Sequence, residues 1–229
     1  MKTTAVIAAL LAGQLLFSAE PKALSPETAL GWLKFGNERH QSGRYIHWHQ
    51  SVERRKQVAS RQSTSAVVLT CSDSQVPPEI LFDQGLGDLF VVRVAGNTAG
   101  EKELASIEHG ANRLRAPLVV VLGHQDCGVV QDAVGGTPVK GSAGSIMAAL
   151  APAVERSRGL SGNHVDNAVR ANVDAVVRQL AASPALGHLA ASRRLKVVGG
   201  YYSSHTGAVQ WLGEGSVSAP QPAVTSQRH

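Results

Sequence analysis

The chain has 229 residues, of which 43% are hydrophobic and 17% charged, and its net charge is +5. This length is near that of one α/β domain and is sufficient to bury a full core. The low charge content excludes a charge-rich disordered chain and a coiled coil, and two cysteines exclude a disulfide-dense scaffold. Basic and aromatic residues do not alternate as they do on nucleic-acid-binding faces, so we expect no nucleic-acid partner.

The N-terminus has the pattern of a targeting segment. Lys2 precedes an apolar run from Ala5 to Phe17, which is too short to span a bilayer, and the small residues Ser18 and Ala19 follow. We expect residues 1–19 to be a signal peptide, and the protein to be periplasmic or secreted without a stable membrane anchor after cleavage. An apolar helix packed on the domain and an uncleaved anchor are the alternatives.

Residues 20–62 are predicted to form an N-terminal helical arm in two pieces. The first piece begins at Ser25, a good N-cap that is followed by proline and glutamate, and the second runs near residues 51–60. An apolar stripe on the first piece comprises Leu30, Leu33 and Phe35. Between the pieces, residues 44–49 have large apolar groups without a clear period, which is typical of a segment that lies on another surface.

Four short apolar runs rich in β-branched residues predict strands that are buried on both faces. They are Ala66–Thr70, Leu89–Val94, Leu118–Leu122 and Leu195–Tyr201. Two helices are predicted between them. One begins at a capping box formed by Thr98 and Glu101, and the other covers Asn163–Leu180. Residues 208–212 follow a turn closely enough to form a hairpin.

This pattern predicts an α/β fold with a mostly parallel sheet of about four strands plus an antiparallel edge strand. Helices are expected on both faces of the sheet. The domain is expected to span residues 20–213, and residues 214–229, rich in Ser, Pro, Gln and Ala, are expected to be a disordered tail.

Reactive side chains follow two of the predicted strands. Cys71 and Asp73 come after the first strand, and His124 and Cys127 come after the third. Ligands gather at the carboxyl ends of parallel strands, so these side chains can meet there. Two thiolates and an imidazole suit zinc and leave a fourth position for water or for Asp73. A Cys71–Cys127 disulfide, two buried thiols and a core histidine remain alternatives at this point.

Several ordered motifs resemble those of the β-class carbonic anhydrases. They are Cys71-Ser72-Asp73-Ser74-Gln75, the stretch 82–93, Ala95-Gly96-Asn97 and Gly123-His124-Gln125-Asp126-Cys127-Gly128. The resemblance extends over residues 29–212 and implies reversible hydration of carbon dioxide to bicarbonate and a proton. It further implies Zn²⁺ held by Cys71, His124 and Cys127, and a homodimer or homotetramer in which N-terminal helices wrap a partner.

One departure from the family motif concerns Gln75. The family has an arginine here that pairs with the aspartate corresponding to Asp73, and glutamine carries no charge. We therefore expect Asp73 to occupy the fourth zinc position more often, which lowers activity. Arg93 is the nearest alternative cation in sequence, but we expect it to pair elsewhere. Gln84 resembles the family's substrate-side glutamine, with a surface amide as the alternative.

Two other functions remain open at the level of sequence. One is a weakly active or non-catalytic zinc protein in which Asp73 closes the site, and the other is a different zinc hydrolase or hydratase acting on a related small electrophile. Two thiolates cancel the formal charge of zinc, so an active centre of this kind is expected to work better above neutral pH.

Overall fold

Five strands in the order β2-β1-β3-β4-β5 form the sheet of the computed structural model, which describes residues 24–212. The strands are β1 (Ala66–Thr70), β2 (Leu89–Arg93), β3 (Leu118–His124), β4 (Lys196–Tyr202) and β5 (Val209–Leu212). Strands β1 to β4 are parallel, and β5 is antiparallel to β4. The predicted fold class, including its antiparallel edge, is confirmed.

Eight α-helices accompany the sheet in the described part of the chain. They are α1 (Pro26–Ser42), α2 (Val52–Val58), α3 (Pro78–Leu81), α4 (Glu101–Asn112), α5 (Gly128–Gly135), α6 (Ala143–Ser157), α7 (His164–Ala182) and α8 (Pro184–Ala191). A 3₁₀ turn covers Ala95–Asn97. The expected signal peptide (1–19) and tail (214–229) lie outside the described residues.

Strands β1 and β3 are buried along their whole length because helices cover both faces of the sheet. Successive side chains point to opposite faces, so Val68 and Val120 join one core cluster while Val67 and Val119 join the other. Between residues 24 and 212, no helix combines the length and the apolar character that a membrane span requires.

The predicted helix starts are confirmed at three of four positions. Ser25 accepts a hydrogen bond from the Thr28 N–H, and Ser51 and Asn163 cap α2 and α7 in the same way. The predicted capping box at Thr98 is wrong, because α4 begins at Glu101 with Gly100 as its N-cap residue. The Glu103 carboxylate accepts the Gly100 N–H at 3.0 Å and satisfies this helix end instead.

The aperiodic segment after α1 lies on the chain's own loop 82–88. The buried carboxylate of Asp83 accepts hydrogen bonds from Arg39 Nε at 2.5 Å and from the N–H groups of Ile46 and His47. Burial raises the pKa of Asp83, but the bond from Arg39 and the two N–H donors outweigh burial and leave the pKa below its usual value. A buried, charged Asp83 therefore fixes the arm to the domain.

Helix α1 approaches the domain most closely at Gly36. A methyl group on Gly36 would place its carbon 1.7 Å from the carbonyl oxygen of Phe82, whereas one on Gly31 of the same helix would meet no atom within 4 Å. Only a residue without a side chain therefore fits between α1 and the Phe82 backbone.

We expect Gly36→Ala to lower the free energy of unfolding by about 2 kcal/mol or more, because the helix must move away from Phe82. Gly31→Ala is the matched control, and it should be neutral or stabilising by up to about 1 kcal/mol through helix propensity. Urea denaturation of both variants measures the difference. Equal stabilities would contradict the close approach of α1.

Candidate metal centre

Two strand ends and one helix start bring three ligand side chains together. Cys71 follows β1, His124 ends β3, and Cys127 precedes α5. The parallel pairing of Thr70 with Leu122 sets these ends side by side. The ligand atoms of the three residues all lie within 4.8 Å of one another, and all three side chains are buried. Of the four side chains predicted to meet, these three do, and Asp73 is not among the clustered ligands.

The distance between the two sulfur atoms distinguishes a metal centre from a disulfide. Both cysteines are free, and their Sγ atoms lie 3.9 Å apart. A disulfide requires about 2.05 Å. Two sulfurs each about 2.3 Å from a tetrahedral zinc ion lie about 3.8 Å apart. The spacing of Cys71 and Cys127 therefore fits a tetrahedral metal ion.

The imidazole of His124 has the orientation that a ligand needs. Its Nδ1–H donates to the Gln125 carbonyl oxygen at 2.9 Å, so Nε2 carries the free lone pair. Nε2 is buried and has no hydrogen-bond partner among the described residues. An unpartnered buried nitrogen is costly unless a ligand completes it, so a metal ion fits this position.

Main-chain groups support the sulfur of Cys71. The N–H groups of Asp73 and Gly96 each donate to Cys71 Sγ at 3.4 Å, which favours the thiolate. Gly96 has a φ of 73°, a left-handed conformation that glycine adopts without strain, and this turns its N–H toward the sulfur. The motif Ala95-Gly96-Asn97 is part of the family resemblance in the sequence. The hydrogen bond from Gly96 to Cys71 is visible only in the structure.

The hydrogen bond between the two cysteines shifts their pKa values in opposite directions. The hydrogen bond with Cys127 lowers the pKa of Cys71 to about 4, and the same bond raises the pKa of Cys127. Burial lowers the pKa of His124, but the adjacent Cys71 sulfur outweighs burial and raises it overall. A metal ion that enters this cluster must therefore displace protons from it.

The other predicted site residues lie around this cluster. The Asp73 carboxylate is not one of the clustered ligands and accepts the main-chain N–H of Gln75 at 3.0 Å. The side chain of Gln75 is exposed. Gln84 is buried, donates to the Phe82 carbonyl at 2.9 Å and lines a cavity beside the arm. The catalytic roles of these three residues stay predictions.

Arg93, the alternative cation considered for Asp73, contacts main-chain oxygens. Its Nε donates to the Cys71 carbonyl at 3.0 Å and its Nη2 to the Asp73 carbonyl at 2.6 Å. None of the ion pairs within residues 24–212 involves the Asp73 carboxylate. The sequence indicated Arg93 as a candidate because it is near Asp73 in the chain. It could not show which atoms Arg93 contacts.

Comparison with known proteins identifies the family of this site. The model of the carbonic anhydrase family matches residues 66–209, which contain all three clustered ligands. This chain belongs to the β-carbonic anhydrase family. Carbonic anhydrase 2 of Mycobacterium tuberculosis is 39% identical over 188 residues, covering 80% of this chain and 91% of that protein. The predicted family and enzyme class are confirmed.

Solved β-carbonic anhydrases share the fold. The Coccomyxa β-carbonic anhydrase in complex with acetazolamide is 25% identical with a TM-score of 0.63, and the match covers 84% of this chain and 87% of that chain. A tetrameric β-carbonic anhydrase from Sordaria macrospora is 23% identical with a TM-score of 0.65, over 82% and 94% of the two chains.

Proposed function

We propose that this β-carbonic anhydrase family member catalyses the reversible hydration of carbon dioxide to bicarbonate and a proton, with zinc bound by Cys71, His124 and Cys127. The observation that carries the proposal is the buried cluster of two sulfurs and an unpartnered imidazole nitrogen at adjacent strand ends. Relatives named carbonic anhydrase support the same activity.

The ligand set favours zinc over harder cations. Thiolate and imidazole suit Zn²⁺, whereas magnesium and calcium prefer oxygen ligands. When bound, zinc supplies a Lewis acid that makes a coordinated water molecule more acidic. The thiolates of Cys71 and Cys127 neutralise the charge of the ion, so its water is less acidic than at a three-histidine centre. Activity should therefore rise above neutral pH.

The position of Asp73 favours an active enzyme over a closed, non-catalytic zinc protein. Its carboxylate lies outside the cluster and already accepts the Gln75 N–H. This hydrogen bond comes from the main chain, so it forms with glutamine as well as with arginine at position 75. With Asp73 held in this way, the fourth position of a bound zinc ion would be open to water.

We expect purified protein to contain one zinc ion per chain and to hydrate carbon dioxide, with a rate that increases from neutral to alkaline pH.

Cys71→Ala, His124→Ala and Cys127→Ala should each lose metal affinity by orders of magnitude, because each removes a ligand. His188→Ala, at an exposed histidine in α8, is the control and should retain zinc. Elemental analysis and stopped-flow hydration assays measure both properties. Stoichiometric zinc without turnover would select the closed, non-catalytic alternative.

The arm presents an apolar surface, which we propose is the contact of a homodimer or homotetramer. Large side chains there are exposed, with Trp32 at 48%, Phe35 at 62% and Trp48 at 54%. Together with Ile46 they line an open cavity of about 650 Å³. Of the three residues of the predicted apolar stripe, Leu30 and Leu33 are buried and Phe35 is exposed. Contiguous apolar surface of this kind marks interaction sites.

We expect Trp48→Ala to weaken self-association by about 2 kcal/mol or more, because exposed tryptophans at interfaces are frequent hot spots. Leu160→Ala is a control at a residue that is similarly exposed, at 57%, and does not line the arm cavity. Sedimentation equilibrium measures the association constants. A wild-type protein that is monomeric at micromolar concentration would rule out this assembly.

We further propose that the protein is exported to the periplasm or secreted. Lys2, the apolar run up to Phe17 and the small residues Ser18 and Ala19 support this location. Mass spectrometry of protein from the periplasm and medium of a bacterial culture should find a mature N-terminus near residue 20. Recovery of the full-length chain from the cytoplasm alone would oppose export.

A further inference from the structure

The loop that carries Cys71 and Asp73 is held mainly by its own main chain. The Asp73 N–H donates to Cys71 Sγ, the Gln75 N–H donates to the Asp73 carboxylate, and the Val76 N–H donates to the Asp73 carbonyl at 3.2 Å. These bonds are local and link residues close in sequence. They define the shape of the loop but do not anchor it to the sheet.

Arg93 supplies the anchor. It is the last residue of β2 and pairs in register with Thr70, the last residue of β1. Its guanidinium joins two carbonyl oxygens of the loop, that of Cys71 at 3.0 Å and that of Asp73 at 2.6 Å. In the part of the chain that the structure describes, the bond to Asp73 is the one hydrogen bond that connects residues 72–75 to another strand or helix.

The placement of the Asp73 carboxylate depends on this anchor. The carboxylate has no cationic partner within the described residues, so no ion pair keeps it away from the cluster. Its position follows from the main chain of residue 73, which Arg93 binds, and from the hydrogen bond that the Gln75 N–H donates to it. A main-chain movement that brought residue 73 closer to the cluster would strain the hydrogen bond with Arg93.

We propose that Arg93 is a positioning residue that keeps the Asp73 carboxylate off the fourth position of the metal. Arginine suits this role because its planar fork presents two donors in fixed directions, whereas lysine presents a single flexible point charge. The inference rests on the proposed metal centre. Through its hydrogen bonds to main-chain oxygens, Arg93 would control whether Asp73 or an external ligand binds the metal at its fourth position.

Cobalt-substituted protein tests the proposal without a turnover assay. Azide binding at the fourth position is followed by the visible absorption of Co²⁺. We expect Arg93→Gln to weaken azide binding by about tenfold, comparable to the loss of one charge-assisted hydrogen bond, because the released Asp73 competes with azide. Arg93→Lys should give an intermediate loss. Arg113→Gln removes an equally positive, exposed side chain after α4 and should leave binding unchanged.

The decisive comparison repeats Arg93→Gln in an Asp73→Asn background. If Arg93 acts by restraining Asp73, the tenfold loss should nearly vanish there, because the amide is a poor competitor for the metal. An equal loss in both backgrounds would overturn the proposal. If Arg93→Gln does not fold, Arg93→Lys carries the same comparison. Wild-type protein that takes up no cobalt would instead overturn the metal centre, and this inference with it.

Discussion

The parallel pairing of β1 with β3 is the constraint on which the metal centre depends. Thr70 lies opposite Leu122, and its hydroxyl also donates to the Leu122 carbonyl at 3.1 Å. The two strands therefore end at the same edge of the sheet, where Cys71 follows β1 and His124 ends β3. Both strands are buried along their length, so the ligands are attached to a rigid scaffold.

Main-chain hydrogen bonds control the charges around this centre. Cys71 Sγ accepts two N–H groups, the Gln125 carbonyl fixes the tautomer of His124, and a main-chain N–H holds the Asp73 carboxylate. Any residue except proline supplies such a group. The absence of arginine at position 75 therefore removes a charge from the loop without removing the hydrogen bond that orients Asp73.

The arm and the metal centre rest on the same core. Phe82 packs in one hydrophobic cluster with Cys71 and Cys127, while its carbonyl oxygen contacts α1 at Gly36. The next residue, Asp83, binds the segment after α1. Residues 82 and 83 thus place the exposed apolar surface of the arm relative to the metal ligands.

The sequence by itself determined the features that short segments encode. Buried strands appear as continuous β-branched runs, and Ser25 and Asn163 cap helices through hydrogen bonds to residues close in sequence. The positions of Cys71, His124 and Cys127 at strand ends indicate them as candidate ligands.

Tertiary structure alone decided which distant groups meet. Periodicity did not reveal α5, α6 or α8, and no local pattern could show that the segment after α1 lies on loop 82–88. The sulfur spacing and the contact of Arg93 with loop carbonyls likewise depend on strand register, because register brings atoms that are remote in sequence close together.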